Sequence, residues 1–247
     1  MNILITNDDG IDSPGLQALV DTISPHHSVQ VIAPDGQRSG TSHYLTMHEA
    51  IRCRRVGDRG RVISGSPADC VLLGVLGALD RKPDVVLSGI NLGANLGTDV
   101  VYSGTAAAAR QAAFMGVPGI ALSLVDTNGS LNFQPLTSLL ESHLEDLIDL
   151  WDADHFINVN APNCSDATLP VRLGQLCQRV YDDDLHAYTA PGGDVYYFLD
   201  GSLDDSGAVD GTDWAVVRSG AISLSPVSIH PCEYPGVDKY RHARFLE

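Results

Sequence analysis

The chain has 247 residues, of which 44% are hydrophobic and 19% charged, a composition typical of a folded protein that buries a sizeable core. Its formal net charge of −16 argues against duplex nucleic acid as a partner, because clustered Lys and Arg hold phosphate backbones. No apolar stretch is long enough to span a bilayer and no secretory signal precedes the first strand, so we expect no membrane association and a cytoplasmic location.

Strand and helix signals alternate from the first residues onward. ILIT at 3–6 predicts a buried strand, and Ser13 can cap the helix that follows it. VQVIA at 29–33 predicts a second strand. After a polar region, SPADCVLLGVLGAL predicts a helix with Ser66 as its cap and Asp69 in the capping-box position.

The same alternation continues through the first two thirds of the chain. DVVLSGIN at 84–91 predicts a strand, the alanine-rich segment 104–115 a helix, and GIALSL at 119–124 another strand. An amphipathic helix at 135–151 and the strand FINVN at 156–160 complete the series. We therefore predict an α/β fold in three layers, α/β/α, with a mostly parallel sheet.

Beyond residue 160 the sequence predicts a β-rich C-terminal extension. AVVRSGAISLS at 215–225 alternates like a half-buried strand, either in a hairpin exposed for subunit exchange or packed within the chain. Three aspartates at 182–184 predict an exposed acidic loop, although they could bind a second cation. Aromatic residues here could line a base-binding surface or belong to the core. They are Tyr196, Tyr197, Phe198 and Trp214.

Cysteines are scattered along the chain without a CxxC pair, which argues against a zinc site. Their odd number argues against a disulfide framework, so we expect reduced thiols. They are Cys53, Cys70, Cys164, Cys177 and Cys232.

In a parallel sheet, ligands bind at the carboxyl ends of the strands, and three loops at those ends supply oxygen atoms. Asp8 and Asp9 follow the first strand, Ser39 follows the second, and Asn91 ends the strand at 84–91. Carboxylate, hydroxyl and amide oxygens together suit Mg²⁺, Mn²⁺ or Ca²⁺. Taken singly, the aspartates also suit a turn, and Ser39 and Asn91 are better explained as loop or cap residues.

The segment YSGT at 102–105 precedes the alanine-rich helix. The hydroxyls of Ser103 and Thr105 and the free amides of the first turn could bind an anion, and Gly104 would let an oxyanion approach the backbone. The alternative is that Ser103 is only a helix cap. The chain has neither GxxxxGK[ST] nor a helix-opening GxGxxG, which favours a single phosphoryl group over a nucleoside triphosphate or a dinucleotide.

Five motifs, in this order along the chain, resemble the SurE family of metal-dependent 5′/3′-nucleotidases, also called stationary-phase survival proteins. They are NDDGIDSPG, APDGQRSG, GSPADCV, SGINLGANLGTDVVYSGT and GTDWAVVRSGAISLSP. The match is close over the first 125 residues and returns near 211–227.

The resemblance implies a Rossmann-like fold, one divalent cation per subunit (Mg²⁺, Mn²⁺ or similar), and hydrolysis of nucleoside 5′- and 3′-monophosphates to nucleoside and phosphate. It also implies a homodimer or homotetramer assembled through the C-terminal extension. We expect a single SurE-like domain over 1–247, with a catalytic core at 1–160 and a mixed extension at 161–247. The implied metal ligands are Asp8, Asp9, Ser39 and Asn91, and the implied phosphate contacts are Asn95, Ser103, Gly104 and Thr105.

The chain also departs from the family pattern. The acidic residue usual after the alanine run is absent, and His43 stands where small or amide residues are common. The region 160–210 matches only loosely, so substrate selectivity and assembly do not transfer from the resemblance.

For the reaction, we hypothesise that Asp9 orients an attacking water, whereas the rival hypothesis is a covalent phosphoenzyme formed on Asp8. A noncatalytic stress protein that only binds nucleotide or metal is the alternative function. A haloacid-dehalogenase-type phosphatase does not fit, because it uses the spacing DxD where this chain has adjacent aspartates.

Overall fold

The structure of the chain is a computed structural model that describes residues 1–58, 60–125, 129–204 and 208–231. The strands are β1 (Asn2–Thr6), β2 (Ser28–Pro34), β3 (Cys53–Val56), β4 (Gly60–Ile63), β5 (Val85–Leu92), β6 (Gly119–Val125), β7 (His155–Pro162), β8 (Val171–Leu173), β9 (Val180–Thr189), β10 (Val195–Asp204) and β11 (Ile222–Ser228). The helices are α1 (Pro14–Ile23), α2 (Pro67–Leu73), α3 (Gly104–Phe114), α4 (Gln134–Asp149) and α5 (Asp213–Arg218).

Nine strands form the main sheet in the order β3-β4-β2-β1-β5-β6-β7-β11-β8. The six adjacent strands β4, β2, β1, β5, β6 and β7 are parallel to one another. At the two ends of this group, β3 runs antiparallel to β4 and β11 runs antiparallel to β7. Successive side chains of a strand face opposite sides of a sheet. Ile3 and Ile5 accordingly pack with α1 and α4, and Leu4 between them packs with α2 and α3. The predicted three-layer α/β/α fold with a mostly parallel sheet is confirmed.

The helix starts follow the capping signals in the sequence. The Ser66 hydroxyl accepts from the Asp69 amide at 3.1 Å, and the Asp69 carboxylate accepts from the Ser66 amide at 2.8 Å, so the predicted capping box is confirmed. Helix α1 begins at Pro14, but within the described chain the Ser13 side chain makes no capping hydrogen bond. Helix α3 begins at Gly104 with Ser103 as its cap.

The prediction of one strand over 215–225 is wrong in its first half. This stretch contains the end of α5, a turn at Gly220 with φ +80°, and only then β11. Val216 and Val217 are both buried, which a helix permits and a strand with alternating faces does not. The Thr212 hydroxyl starts the helix by accepting from the Ala215 amide at 3.3 Å.

Strands β9 and β10 pair with each other in a separate two-stranded antiparallel sheet, which we call the hairpin. The aspartates at 182–184 are exposed, as predicted, but they lie in β9 and not in a loop. Tyr196, Tyr197 and Phe198 are 56%, 63% and 57% exposed, so their assignment to the core is wrong.

Four cysteines carry free thiols in the described part of the chain: Cys53 and Cys164, which are exposed or partly exposed, and Cys70 and Cys177, which are buried. Cys232 and the rest of the predicted extension from 232 to 247 lie outside the described residues. Among the described helices, none is long and apolar enough to cross a membrane.

Candidate active site

A cleft of about 730 Å³ opens at the carboxyl edge of β1 and β5. Of the residues with a predicted site role, six line it: Asp8, Asp9, Ser39, Asn91, Asn95 and Ser103. They come from three loops that are distant in sequence, and the parallel sheet brings them to one edge because all of its central strands end there. Gly104 and Thr105 lie directly behind Asp8 and do not face the cleft.

Asp8 is 3% exposed, and its side chain packs against Gly104 and Thr105 in the first turn of α3. Its Oδ1 accepts from the Thr105 hydroxyl at 2.5 Å. A Cβ at Gly104 would stand 2.8 Å from the Asp8 Cβ and 3.0 Å from its Oδ2, so only glycine lets the helix approach this closely. Burial raises the pKa of Asp8, and the Thr105 hydroxyl together with backbone amides, including those of Thr105 and Gly104, opposes that rise.

Asp9 is partly exposed and has one buried oxygen, Oδ2, that finds no hydrogen-bond partner among the described residues. Burial, followed by repulsion from the Asp8 carboxylate, raises its pKa to about 6. An unpartnered carboxylate oxygen beside a second carboxylate is costly unless a cation neutralises the pair. The arrangement therefore fits a hard cation with oxygen ligands.

Ser39 and Asn91, which carry neutral side-chain oxygen atoms, line the same cleft as the aspartate pair. The loop that carries Ser39 is tied to Asp8 by a hydrogen bond from the Arg38 amide to the Asp8 carbonyl oxygen at 2.6 Å. The Asn91 Nδ2 donates to the Gly93 carbonyl oxygen at 3.0 Å, which leaves the Asn91 Oδ1 as the side-chain atom that could accept from a donor or contact a cation. Within the described chain, this cleft included, no three His, Cys, Asp or Glu side chains cluster closely enough to hold a metal ion, so an ion here would need neutral oxygen ligands beside the two aspartates.

Asn95 is held by polar side chains inside the sheet. Its amide donates to the Asn160 Oδ1 at 2.9 Å, and its carbonyl oxygen accepts from Asn158 at 2.8 Å and from Asn160 at 3.0 Å. Its side chain donates to the Ser123 hydroxyl at 2.8 Å. The sequence does not assign Ser123, Asn158 and Asn160 to the site, although asparagines at alternate positions of the otherwise apolar FINVN could have signalled a buried polar cluster.

Ser103 is the helix cap that the sequence allows, and it also lines the cleft. Its hydroxyl accepts from the Ala106 amide at 3.0 Å, as a helix cap does. The cleft therefore meets the N-terminal end of an 11-residue helix, where the backbone dipole favours an anion.

Part of the cleft lining comes from the hairpin. Tyr181, Asp183 and Leu199 of the hairpin line the cleft, and so do Tyr102 and Asp99, which precede α3. The hairpin residues lie in the region of loose family resemblance and are not singled out by the sequence.

His43, which departs from the family pattern, lies outside the cleft lining, with its Nε2 2.8 Å from the Gln111 Oε1. The aromatic residues Tyr196, Tyr197 and Phe198 do not line the cleft either, in contrast to the base-binding surface considered for them.

Comparison with known proteins identifies the family. The family model for Survival protein SurE matches residues 3–183. The chain belongs to the SurE family. Among SurE relatives, one named 5′-nucleotidase SurE from Chloroflexus aggregans is 38% identical over 248 residues, covering 98% of each chain. Another of the same name from Citrifermentans bemidjiense is 37% identical over 247 residues, covering 96% of this chain and 97% of its own.

Among solved structures, the SurE protein from Aquifex aeolicus is similar over nearly the whole chain. The TM-score is 0.83 at 32% sequence identity, with 97% of this chain and 98% of that chain covered. The likeness to SurE therefore extends through the C-terminal region that the family motifs cover only loosely.

Proposed function

We propose that the protein is a divalent-metal-dependent phosphomonoesterase that hydrolyses nucleoside 5′- and 3′-monophosphates. One observation carries the proposal: a single cleft joins a carboxylate pair with an unpartnered oxygen to the capped end of a helix. The relatives named 5′-nucleotidase SurE support the activity on 5′-monophosphates. Activity on 3′-monophosphates rests on the family resemblance of the motifs.

The charges of the cleft support a metal requirement. Four carboxylates line it, and none of its described lining residues is Lys or Arg. One of the four, Asp99, is paired with the Arg179 Nε at 2.9 Å, which leaves three without a basic partner in the described chain. A phosphate dianion would be repelled there without a cation. We propose that Asp8, Asp9, Ser39 and Asn91 hold one Mg²⁺, Mn²⁺ or similar ion. Such an ion would neutralise phosphoryl charge and lower the pKa of a bound water.

Asn95 and Ser103 are the groups that we propose for the phosphoryl oxygens. Both are buried at the cleft wall, and Asn95 is fixed through its peptide and its side chain. Groups fixed before substrate arrives stabilise developing charge without reorganisation. We propose that Gly104 and Thr105 act through Asp8, since the Thr105 hydroxyl already donates its hydrogen bond to that carboxylate.

For the attacking group we favour a water oriented by Asp9. Asp8 is a poor candidate for the nucleophile, because it is 3% exposed and its Oδ1 already accepts a hydrogen bond from Thr105. Acid-quenched turnover with ³²P-labelled AMP tests this. Label retained on the protein at Asp8 would overturn water attack, and label found only in free phosphate supports it.

The activity is tested by phosphate release from 5′-AMP and 3′-AMP after EDTA treatment and after return of Mn²⁺ or Mg²⁺. We expect no release with EDTA and recovery with the ion. Asp8→Asn should abolish the recovery, and Asp21→Asn, an exposed change on α1, should not. Nucleotide binding without phosphate release under every metal condition would instead identify a noncatalytic binding protein.

We also propose a homodimer or homotetramer that assembles through the C-terminal extension at 161–247, beside a catalytic core at 1–160. The hairpin supports this, because a lone two-stranded sheet is marginally stable in water and this one exposes apolar residues. On the face directed away from the cleft, Tyr188, Tyr196 and Phe198 are 62%, 56% and 57% exposed. Sedimentation velocity should give a multimer for the wild type and a smaller species for Phe198→Asp. A wild-type monomer would refute the assembly.

We propose a cytosolic location on the basis of the free thiols at Cys53, Cys70, Cys164 and Cys177, because such thiols persist in reducing compartments. Fractionation of cells that produce the full chain tests it, and recovery outside the cytosolic fraction would refute it.

A further inference from the structure

The motif GTD at 211–213 places one carboxylate where three parts of the chain meet. Asp213 is 0% exposed. Its Oδ2 accepts from the Gly97 amide at 2.7 Å, and its Oδ1 accepts from the amides of Cys177 at 3.0 Å and Trp214 at 2.8 Å. Burial of a carboxylate is costly, and three N–H donors offset that cost.

Two of these donors, the amides of Cys177 and Trp214, belong to segments that backbone hydrogen bonds already join. The Asp213 amide donates to the Gln175 carbonyl oxygen at 2.7 Å, and the Gln175 amide donates to the Gly211 carbonyl oxygen at 2.9 Å. Helix α5 and the segment that leads into β9 are therefore held together without the Asp213 side chain. The side chain adds a connection to Gly97.

Gly97 is the first residue of a short 3-10 turn, Gly97–Val101, which we call the cleft turn. It has φ +53°, and a Cβ on it would collide with the Cys177 carbonyl oxygen. The turn therefore packs directly on the backbone that Asp213 holds. Further contacts join the same segments, since the Arg179 amide donates to the Thr98 hydroxyl at 3.1 Å and the Arg179 Nε lies 2.9 Å from the Asp99 Oδ2.

The cleft turn leads directly to the phosphate end of the cleft. The amides of Tyr102 and Ser103 donate to the Asp99 carbonyl oxygen at 3.0 and 3.2 Å, so the position of Ser103 depends on the position of the turn. A shift of the Gly97 peptide would move Ser103 relative to Asn95, which is anchored separately by β7.

We infer that Asp213 is a positioning residue for phosphomonoester hydrolysis, fixing the cleft turn so that Ser103 lies in register with Asn95. This rests on the proposed function. Asp213 does not line the cleft and acts through the Gly97 amide. The extension beyond residue 160 thus completes the geometry of the core in addition to any part in assembly.

Asp213→Asn tests the inference, because it keeps the shape and replaces one acceptor oxygen with a donor that faces an N–H group. We expect kcat/KM for AMP to fall on the order of 10- to 100-fold. The KM for AMP and the inhibition constant for inorganic phosphate should rise, because Ser103 would no longer be held in place for the phosphoryl group. The Mn²⁺ activation constant should stay within about twofold of wild type, because the proposed metal ligands do not move. Asp210→Asn, an exposed change three residues away, is the matched control.

Two further measurements separate positioning from general stability. Loss of kcat/KM in Asp213→Asn combined with Ser103→Ala should be smaller than the product of the single losses, because both act on the same contact. Amides of 96–103 should exchange hydrogen faster in Asp213→Asn than in Asp210→Asn, while those of β1 and β5 do not change.

Wild-type kinetics in Asp213→Asn, independent effects in the double variant, or unchanged exchange at 96–103 would each overturn the inference. If Asp213→Asn does not fold, Asp213→Glu, which keeps the carboxylate, is judged by the same criteria. If neither variant folds, Asp213 is a folding residue and the inference is wrong. If the wild type itself does not hydrolyse AMP, the proposed function fails, and the exchange comparison still decides whether Asp213 fixes the cleft turn.

Discussion

Cation affinity should depend steeply on pH between 5 and 7, because the proposed ligand Asp9 has a pKa raised to about 6 by burial and by the neighbouring Asp8 carboxylate. A divalent cation binds the ionised form and must displace the proton. About nine tenths of a group with this pKa is ionised at pH 7 and about one tenth at pH 5, so Asp9 alone weakens apparent Mn²⁺ affinity about tenfold over that interval. The raised pKa of Asp8 adds to the slope.

Isothermal titration calorimetry of the chelator-treated protein with Mn²⁺ measures this effect. Titrations at pH 5, 6 and 7 give the affinity, and buffers of different ionisation enthalpy give the protons released. We expect release at pH 5 to 6 that disappears above pH 7. The control Asp21→Asn should titrate like the wild type. An affinity that is flat from pH 5 to 7, with no proton release, would refute the assignment of the cation to the aspartate pair.

The same carboxyl group links pH to the stability of the metal-free protein. Its pKa is higher in the folded chain than in the unfolded chain, so its contribution is most favourable below pH 4 and is lost as pH rises through about 6. A rise of the Asp9 pKa from 3.8 to about 6 would correspond to about 3 kcal/mol for a group shielded from solvent, and the partial exposure of Asp9 reduces this to about 1 kcal/mol. Between pH 4 and pH 7, the free energy of unfolding in urea should fall by about 1 kcal/mol more in the wild type than in Asp9→Asn. Saturating Mn²⁺ should restore the stability of the wild type at pH 7.

Three other substitutions test individual contacts. Thr105→Val removes the donor to Asp8 and should weaken Mn²⁺ affinity about 10- to 100-fold, whereas an unchanged calorimetric affinity would show that Asp8 needs no such support. Ser66→Ala breaks the capping box of α2 and should lower the free energy of unfolding in urea by about 1 kcal/mol with kcat/KM retained; equal stability would contradict it. Gly15→Ala should destabilise by about 1 to 3 kcal/mol, because its Cβ would collide with the Ile90 carbonyl oxygen, and an unshifted thermal transition would show that α1 moves freely away from β5.

Much of the fold is readable from the sequence because its signals are local. The alternation of buried strands and capped helices predicts the parallel sheet, and Ser66 with Asp69 marks a helix start that the structure contains. The failures also have local causes. Alternating apolar residues at 215–225 imitate a strand, but the buried neighbours Val216 and Val217 belong to a helix that Thr212 starts.

The candidate site, like the fold, is only partly predictable from the sequence. That loops at the strand ends would meet follows from parallel topology, and the structure brings Asp8, Asp9, Ser39, Asn91, Asn95 and Ser103 into one cleft. The direction of each side chain does not follow from the pattern. Thr105 turns away from the cleft to Asp8, and Asn158 and Asn160 reach Asn95 from inside the sheet.

By itself, therefore, the sequence determines which residue types stand at the carboxyl ends of the strands and which family the chain resembles, since both are properties of short segments read in order. Only the tertiary structure decides which groups share a hydrogen bond across long separations. The hydrogen bond between Asp8 and Thr105 joins residues that are 97 positions apart in the sequence, and the one between Gly97 and Asp213 joins residues that are 116 positions apart. Such contacts depend on how helices and loops pack on the finished sheet, and no local pattern along the chain encodes that packing.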